Sequence, residues 1–206
     1  MTKLVLASTS PARLRLLRDA GIEPVTIAPG VDEEAVAEAA KDSINSVADL
    51  VLLLARAKAE AVANLPESRG ALVLGCDSSL EFNGVSLGKP HAPDVAATRW
   101  RELRGNSGHL HSGHWLIDNR GDVPIAVGVS SVTKVNFADL SDAEIDAYVA
   151  TGEPLKVAGA FTIDGLGGAF LESIEGDTHT VIGLSLRELR NLTKRLGVEY
   201  TSLWNS

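Results

Sequence analysis

Short apolar runs alternate along the chain with longer segments whose apolar residues recur at helical spacing. Residues 4–7 and 71–75 have the length of buried strands, whereas residues 46–65 repeat apolar side chains every three or four positions. Strands and helices therefore alternate, with an antiparallel insertion in the middle of the chain. This order predicts an α/β fold: a mixed sheet with flanking helices and two lobes around a central cleft.

The first strand leads directly into a hydroxyl-rich turn and a helix. Ser10 is the expected N-cap, Pro11 occupies the first helical position, and Gly21 follows the last helical residue. Free backbone amides and the positive end of the helix dipole at such a turn favour an anion. Arg13 adds a guanidinium group whose geometry matches phosphate oxygens. The alternative is an ordinary strand–helix unit with solvated arginines. The turn is not a Walker A loop, because it lacks the glycines and the Gly-Lys-Ser/Thr end of that motif.

Two acidic positions are candidates for chemistry. Glu33 lies in a carboxylate cluster at residues 32–34, which favours the start of a helix or, alternatively, holds a metal or substrate. Asp77 follows the apolar run at residues 71–75, and the carboxyl end of a buried strand is where α/β sheets place their chemistry. A desolvated carboxylate there activates water or binds a divalent ion, unless it only forms a turn.

Three further side chains are considered together with these carboxylates. Lys58 is at the edge of the apolar face of the long helix, where most lysines simply extend to solvent. Cys76 is expected to act as a small buried apolar residue. Lys89 follows a hairpin at residues 80–87, whose Asn83-Gly84 pair favours a type I′ turn.

The second half of the chain contains clear helix boundaries. Ser141 and Ser185 each precede a glutamate by three residues, which is the pattern of a capping box at a helix start. Gly152 and Gly197 are expected to end these two helices. The remaining expected elements of the chain are a helix at residues 93–104 and strands at residues 23–28, 114–117, 123–137, 158–163 and 169–174.

A histidine cluster suggests a zinc site as one alternative. His109 and His111 would share one face of a strand, and His114 lies three residues further on. No nearby cysteine completes the ligand set. A polar strand or loop lining is therefore the simpler interpretation.

Composition and charge limit the class of protein. A chain of 206 residues with 45% hydrophobic content suits one domain, or one domain with two lobes. The net charge of −8 argues against a nucleic-acid partner, although it does not exclude a small anionic ligand. One cysteine excludes an internal disulfide framework, and no apolar stretch is long enough to span a bilayer. We recognise no secretory signal, and we expect a cytoplasmic protein without a membrane partner.

Several short motifs occur together in the order of a known family. They are Ser8-Thr-Ser-Pro-Ala-Arg13, Val31-Asp-Glu33, Leu54-Ala-Arg-Ala-Lys58-Ala, Gly75-Cys-Asp77-Ser, Gly88-Lys89-Pro90, Ala158-Gly-Ala-Phe-Thr-Ile-Asp-Gly165, and Ile174-Glu-Gly176 through Val181-Ile-Gly-Leu184. In this order and rough spacing they resemble the Maf family of nucleoside triphosphate pyrophosphatases over nearly the whole chain. Each motif alone is weak, whereas five or more in order are specific.

The resemblance implies one Maf-like domain with two lobes over residues 1–206, related in fold to inosine triphosphatases. It implies hydrolysis of a ribo- or deoxynucleoside triphosphate, including modified nucleotides, to a monophosphate and pyrophosphate. By resemblance, Asp77 is the general base, and Glu33 and Asp77 hold a divalent cation, Mg²⁺ or Mn²⁺. A homodimer is also implied. The other residues implied by the resemblance are Lys58 and Lys89 for catalysis and Ser8, Ser10, Arg13 and Asp164 for substrate binding.

The chain departs from the family pattern at three places. Ala12 stands where an arginine is common, which removes one phosphate contact. Lys156 is separated from the following Ala-Gly-Ala segment by an extra residue, and Asp164 replaces a glutamine. Asp164 is expected to change base recognition or to add a metal ligand. The preferred nucleotide stays open between dTTP or UTP and modified guanine nucleotides such as 7-methyl-GTP. The role of Asp77 also stays open between general base and metal ligand.

Two other functions are compatible with these residues. One is a non-catalytic nucleotide-binding regulator of septum formation and cell division. The other is a generic α/β phosphate-binding domain. The presence of Asp77, Glu33, Lys58 and Lys89 together favours an enzyme, because binding alone does not require a base.

Overall fold

The structure is a computed structural model that describes residues 2–205. The strands in this range are β1 (Leu4–Ala7), β2 (Val25–Ile27), β3 (Leu72–Phe82), β4 (Val85–Leu87), β5 (Ser107–Asp118), β6 (Ile125–Phe137) and β7 (Leu171–Glu175). They form one mixed sheet in the order β2-β1-β3-β5-β6-β7, and β4 pairs with β3. β1 is parallel to β2 and β3, whereas the β3–β4 and β6–β7 pairs are antiparallel. The predicted mixed sheet is confirmed.

Helices separate most of these strands along the chain. They are α1 (Pro11–Asp19), α2 (Glu33–Ala39), α3 (Val47–Ala63), α4 (Pro93–Leu103), α5 (Asp142–Ala150), α6 (Thr178–Ile182) and α7 (Leu186–Arg195). Short 3₁₀ segments lie at residues 41–43, 66–68, 153–156, 158–160, 166–170 and 200–203. Over residues 2–205, no helix is both long and apolar enough to cross a membrane. The predicted α/β architecture with flanking helices is confirmed.

The chain divides into two compact units. The first comprises the residues up to Asp77, Ser112–Ser131, and the residues from Gly183 onward. The second comprises Ser78–His111 and Val132–Ile182. The cleft predicted between two lobes stays a prediction.

In the first unit, α3 packs closely on the sheet because two glycines leave room for its backbone. A Cβ atom on Gly75 of β3 would lie 2.1 Å from the Ala55 carbonyl oxygen, and one on Gly113 of β5 would lie 2.2 Å from the Val51 carbonyl oxygen. Both distances are far below van der Waals contact. Glycine is therefore required where the helix crosses these strands. The buried apolar side chains of this contact are Val5, Ala7, Ala59, Val62, Ala71, Val73 and Ile117.

In the second unit, aromatic side chains form the centre of the core. The fully buried Trp100 of α4 makes edge-on contacts with Phe137, Tyr148 and Phe170 at centroid distances of 5.6, 5.5 and 6.1 Å. Its indole Nε1 donates a hydrogen bond to the Ala160 carbonyl at 2.7 Å, so the buried polar atom has a partner. The core thereby fixes the backbone that leads toward Asp164.

Most predicted helix boundaries are confirmed. Ser10 caps α1, and Ser141 and Glu144 form the reciprocal capping box that begins α5. Gly21 and Gly152 have φ values of +77° and +76°, the left-handed conformation that ends a helix easily only at glycine. These signals are local, which is why the sequence identifies them.

The strand predicted at residues 158–163 is wrong. Gly159 and Ala160 have φ values of +70° and +63°, which are incompatible with a strand, and residues 158–160 form a 3₁₀ turn. A Cβ on Gly159 would lie 2.8 Å from the Leu80 Cβ, so glycine is required at this position of the turn. The following strand, predicted at residues 169–174, is β7 and begins only at Leu171.

Candidate active site

Lys58 lies between two carboxylates in the first unit. Its Nζ atom is 2.6 Å from Asp77 Oδ1 and 2.8 Å from Glu33 Oε1. Lys58 and Asp77 are buried, with 7% and 8% of their surface exposed, whereas the Glu33 side chain is 47% exposed. The structure thus brings together three of the predicted catalytic residues. The simple interpretation of Lys58 as a solvated lysine is wrong.

Each of the three side chains is positioned by its own secondary-structure element. Asp32 caps α2 by accepting the Ala35 amide at 3.0 Å, and this places Glu33 in the first helical turn. Lys58 lies on the buried face of α3, and Asp77 lies in β3. The predicted acidic first turn is confirmed for Glu33, and its role toward a metal or substrate stays a prediction.

Asp77 differs from the predicted placement at a strand end. β3 continues past it to Phe82, because the run that begins at Leu72 is continuous with the first strand of the predicted hairpin. Pairing with β1, however, ends at the Ala7–Gly75 register. Asp77 therefore lies just beyond the carboxyl end of the neighbouring parallel strand, which is the place that the strand-end argument requires.

Burial controls the acid–base properties of this strand segment. Burial raises the pKa of Asp77 above its usual value, although the nearby charges of Lys58 and Arg13 oppose the rise and that of Glu33 adds to it. A higher pKa makes the carboxylate a stronger proton acceptor. Burial also raises the pKa of the Cys76 thiol to about 11, so Cys76 is a small buried residue and not a thiolate, as expected.

Arg13 holds the predicted phosphate turn against β3. The side chain is buried; its Nη1 donates to the Cys76 carbonyl at 2.9 Å and to Ser8 Oγ at 3.3 Å, and its Nε donates to the Gly183 carbonyl at 2.8 Å. Ser8 Oγ also accepts the Ser10 amide at 3.1 Å. The alternative interpretation, in which the arginines are solvated, is thus wrong for Arg13. Its guanidinium fixes the turn next to the residue that precedes Asp77.

The Gly183 turn lies in one of the family motifs, but the sequence assigned it no role at this site. His114 of β5 is fully buried, and its Nε2 accepts the Ser185 backbone amide at 2.8 Å. This bond fixes the residues that follow Gly183, the acceptor for Arg13. A carbonyl acceptor has no sequence signature, and His114 suggested a zinc ligand or a polar strand or loop lining, not an acceptor for a backbone amide.

The histidines do not assemble into a metal centre in the part of the chain that the structure describes. His109 is exposed, and His111 Nε2 lies 2.8 Å from Glu81 Oε2. Over residues 2–205, no group of three or more His, Cys, Asp or Glu side chains is arranged to hold a metal ion. The polar-strand interpretation of the cluster agrees with β5.

Lys89 and Asp164 lie in the second unit, and both are exposed. The Lys89 loop is fastened at Gly88, whose carbonyl accepts Arg99 Nη1 at 2.5 Å and the Gly159 amide at 3.3 Å. The loop is therefore held by a side chain and a backbone amide of the second unit itself. The participation of Lys89 and Asp164 in one site with Asp77 stays a prediction.

The two carboxylates have suitable chemistry for a divalent cation. Both Glu33 and Asp77 direct an oxygen at one position, which Lys58 Nζ occupies. Mg²⁺ is commonly held by one or two carboxylates together with water and substrate phosphates, not by a closed protein cage. Glu33 and Asp77 are therefore ligands of the type that Mg²⁺ uses, and the binding of an ion to them stays a prediction.

The chain is similar to known proteins over nearly its whole length. The family model described as Maf-like protein matches residues 3–196. A nucleoside triphosphate pyrophosphatase of Leifsonia xyli subsp. xyli is 55% identical over 208 residues, covering 98% of this chain and 97% of that protein. Proteins of the same name from Streptomyces coelicolor and Nostoc punctiforme are 50% and 48% identical, covering 98% and 97% of this chain and 94% and 96% of their own lengths. The chain belongs to the Maf family.

Proposed function

We propose that this protein hydrolyses a nucleoside triphosphate between its α and β phosphates. The observation that carries the proposal is the buried Lys58–Asp77 pair, joined by Glu33 and linked through Arg13 to the Ser8–Ser10 turn. The names of the similar proteins support the same activity. Because nucleoside triphosphates and a single buried cysteine both suit the cytoplasm, we expect the enzyme to act there.

Asp77 is the proposed general base. Its carboxylate accepts a proton from a water molecule while the water oxygen forms a bond to phosphorus. The water attacks the α phosphorus; the bond from this phosphorus to the oxygen that bridges it to the β phosphorus breaks, and pyrophosphate leaves with the electron pair of that bond. Burial raises the pKa of Asp77, which favours the proton transfer, and Lys58 holds the carboxylate in place through the 2.6 Å contact.

Positive groups are proposed to hold the polyphosphate. The amino-terminal end of the nine-residue α1 carries the positive end of the helix dipole, and Arg13 keeps the preceding turn in position. Ser8, Ser10 and Lys89 are proposed as further phosphate contacts. This local positive potential makes a net charge of −8 compatible with an anionic substrate.

A divalent cation, Mg²⁺ or Mn²⁺, is proposed to bind at Glu33 and Asp77. When bound, such an ion neutralises charge on the phosphate oxygens as bond breaking proceeds. Lys58 balances the two carboxylates in the free protein. Asp164 is proposed to contribute to base recognition.

The test is pyrophosphate release with Mg²⁺ or Mn²⁺ across dTTP, UTP, GTP and 7-methyl-GTP, with the wild type beside Asp77→Asn. We expect the substitution to lower kcat by about 10²- to 10⁴-fold, the usual contribution of a general base. Asp118→Asn is the matched control, since it removes another carboxylate of the first unit, paired with Arg120 at 2.7 Å, and should retain activity. The panel also identifies the accepted base.

The opposite outcome supports a different function. A wild-type protein that binds nucleotide but releases neither pyrophosphate nor phosphate would be a regulator without turnover. If Asp77→Asn has unchanged turnover, Asp77 is not the general base.

A further inference from the structure

Glu153 collects four hydrogen bonds in the second unit. Its Oε1 accepts from Tyr148 Oη at 2.9 Å, from Thr162 Oγ1 at 2.5 Å and from the Gly167 amide at 3.0 Å, and its Oε2 accepts from the Leu166 amide at 3.0 Å. Two of the donors are backbone amides of the 3₁₀ segment at residues 166–170. One carboxylate therefore joins the end of α5 to both sides of the segment at residues 162–167.

Two glycines allow the segment at residues 162–167 to pack closely against Glu153 and Tyr148. A Cβ on Gly165 would lie 2.7 Å from Glu153 Oε2, and one on Gly167 would lie 2.3 Å from Tyr148 Oη. Glycine at these positions allows the backbone to approach Glu153 at residue 165 and its donor Tyr148 at residue 167. Asp164 lies between these contacts and is exposed.

Every partner of Glu153 is a donor, so an ionised carboxylate is the matching acceptor. Partial burial alone would raise the pKa of Glu153, but the hydrogen bonds from Thr162, Gly167, Leu166 and Tyr148 outweigh it and lower the pKa below its usual value. The carboxylate is thus ionised at neutral pH. Glutamine at this position would direct an NH₂ group toward donors.

We propose that Glu153 is a positioning residue that holds the segment at residues 162–167 in the conformation that presents Asp164 to the nucleotide. The inference rests on the proposed function, and it adds a residue outside the Lys58–Asp77 cluster. Glu153 acts on substrate binding through the segment and makes no contact with the reacting atoms.

The test compares Glu153→Gln with the wild type and with Tyr148→Phe, which removes one of the four bonds. In Glu153→Gln we expect faster hydrogen exchange at the Leu166 and Gly167 amides, because hydrogen bonds to a charged acceptor are strong and are lost. We also expect KM to rise by about tenfold while kcat changes by less than about twofold. Tyr148→Phe should show a smaller change in both quantities. If Glu153→Gln does not fold, Thr162→Val removes one donor and carries the same test.

The pH dependence of stability provides a readout that is independent of turnover. Because the folded-state pKa of Glu153 is lowered, its stabilising effect is complete above the unfolded-state value and is lost as pH falls through the folded value. The Tm difference between wild type and Glu153→Gln should therefore be full at neutral pH and shrink below about pH 4.3.

Three results would overturn the inference. They are unchanged exchange at Leu166 and Gly167, faster exchange with an unchanged KM, and a loss of kcat without a change of KM. If the wild type has no pyrophosphatase activity, the proposed function fails, and nucleotide affinity measured at equilibrium then replaces KM. An unchanged affinity in Glu153→Gln would contradict the inference in that case as well.

Discussion

At the scale of single residues, burial changes what an ordinary side chain does. Lys58 lies at the edge of an apolar helix face, a position from which the ammonium group usually reaches water. Here α3 directs it between Glu33 and Asp77 with 7% of its surface exposed. Two carboxylates brought so close repel each other, and the ammonium group removes this repulsion.

We predict that Lys58→Met lowers the free energy of unfolding by about 3 kcal/mol, because it leaves the buried Asp77 carboxylate without its partner. Adding Asp77→Asn to this variant should restore part of the loss, since the unpaired charge is then absent. Urea unfolding of the single and double variants measures both values.

Lys134→Met is the matched control for this prediction. It breaks a contact of similar length, 2.7 Å to Glu175, between side chains that are 38% and 62% exposed. Such a surface pair contributes about 1 kcal/mol or less. Equal losses in Lys58→Met and Lys134→Met would show that burial adds nothing to the Lys58 contacts.

At the scale of elements, the distance between α3 and the sheet determines whether Lys58 reaches Asp77. Gly75 and Gly113 allow that close approach, and Gly75 is only two residues from Asp77. The packing of a helix on two glycines therefore supports the chemistry directly.

We predict that Gly75→Ala destabilises the protein by about 2–3 kcal/mol, the upper part of the usual range for an overpacked core, because its Cβ would meet backbone atoms of α3. Activity should fall as well, since α3 carries Lys58. Thermal or urea unfolding, together with the pyrophosphate assay, measures the two effects. Gly121→Ala is the control, because its nearest atom would be 3.9 Å away and its stability should be nearly unchanged.

At the scale of the whole molecule, local signals were predictable and long-range contacts were not. Residues adjacent in sequence determine the turn before α1, the caps at Ser10 and Ser141, and the β3–β4 hairpin. The Lys58–Glu33 contact depends on how α2 and α3 pack, which no local pattern records.

The errors have the same physical origin. Residues 158–163 have strand-like composition, but Gly159 and Ala160 have positive φ values, and Gly159 packs closely on Leu80, which is 79 positions earlier in the sequence. The acceptor of Arg13 at Gly183 is a backbone carbonyl 170 residues away, and any residue type offers that carbonyl. Tertiary packing thus decided the parts of the site that sequence patterns missed.

The most direct test of the account is the identity of the products formed from the preferred triphosphate. Phosphorus-31 NMR of the wild-type reaction should show nucleoside monophosphate and pyrophosphate in equal amounts. Nucleoside diphosphate with inorganic phosphate would mean that the β–γ bond is cleaved, and it would contradict the proposed function.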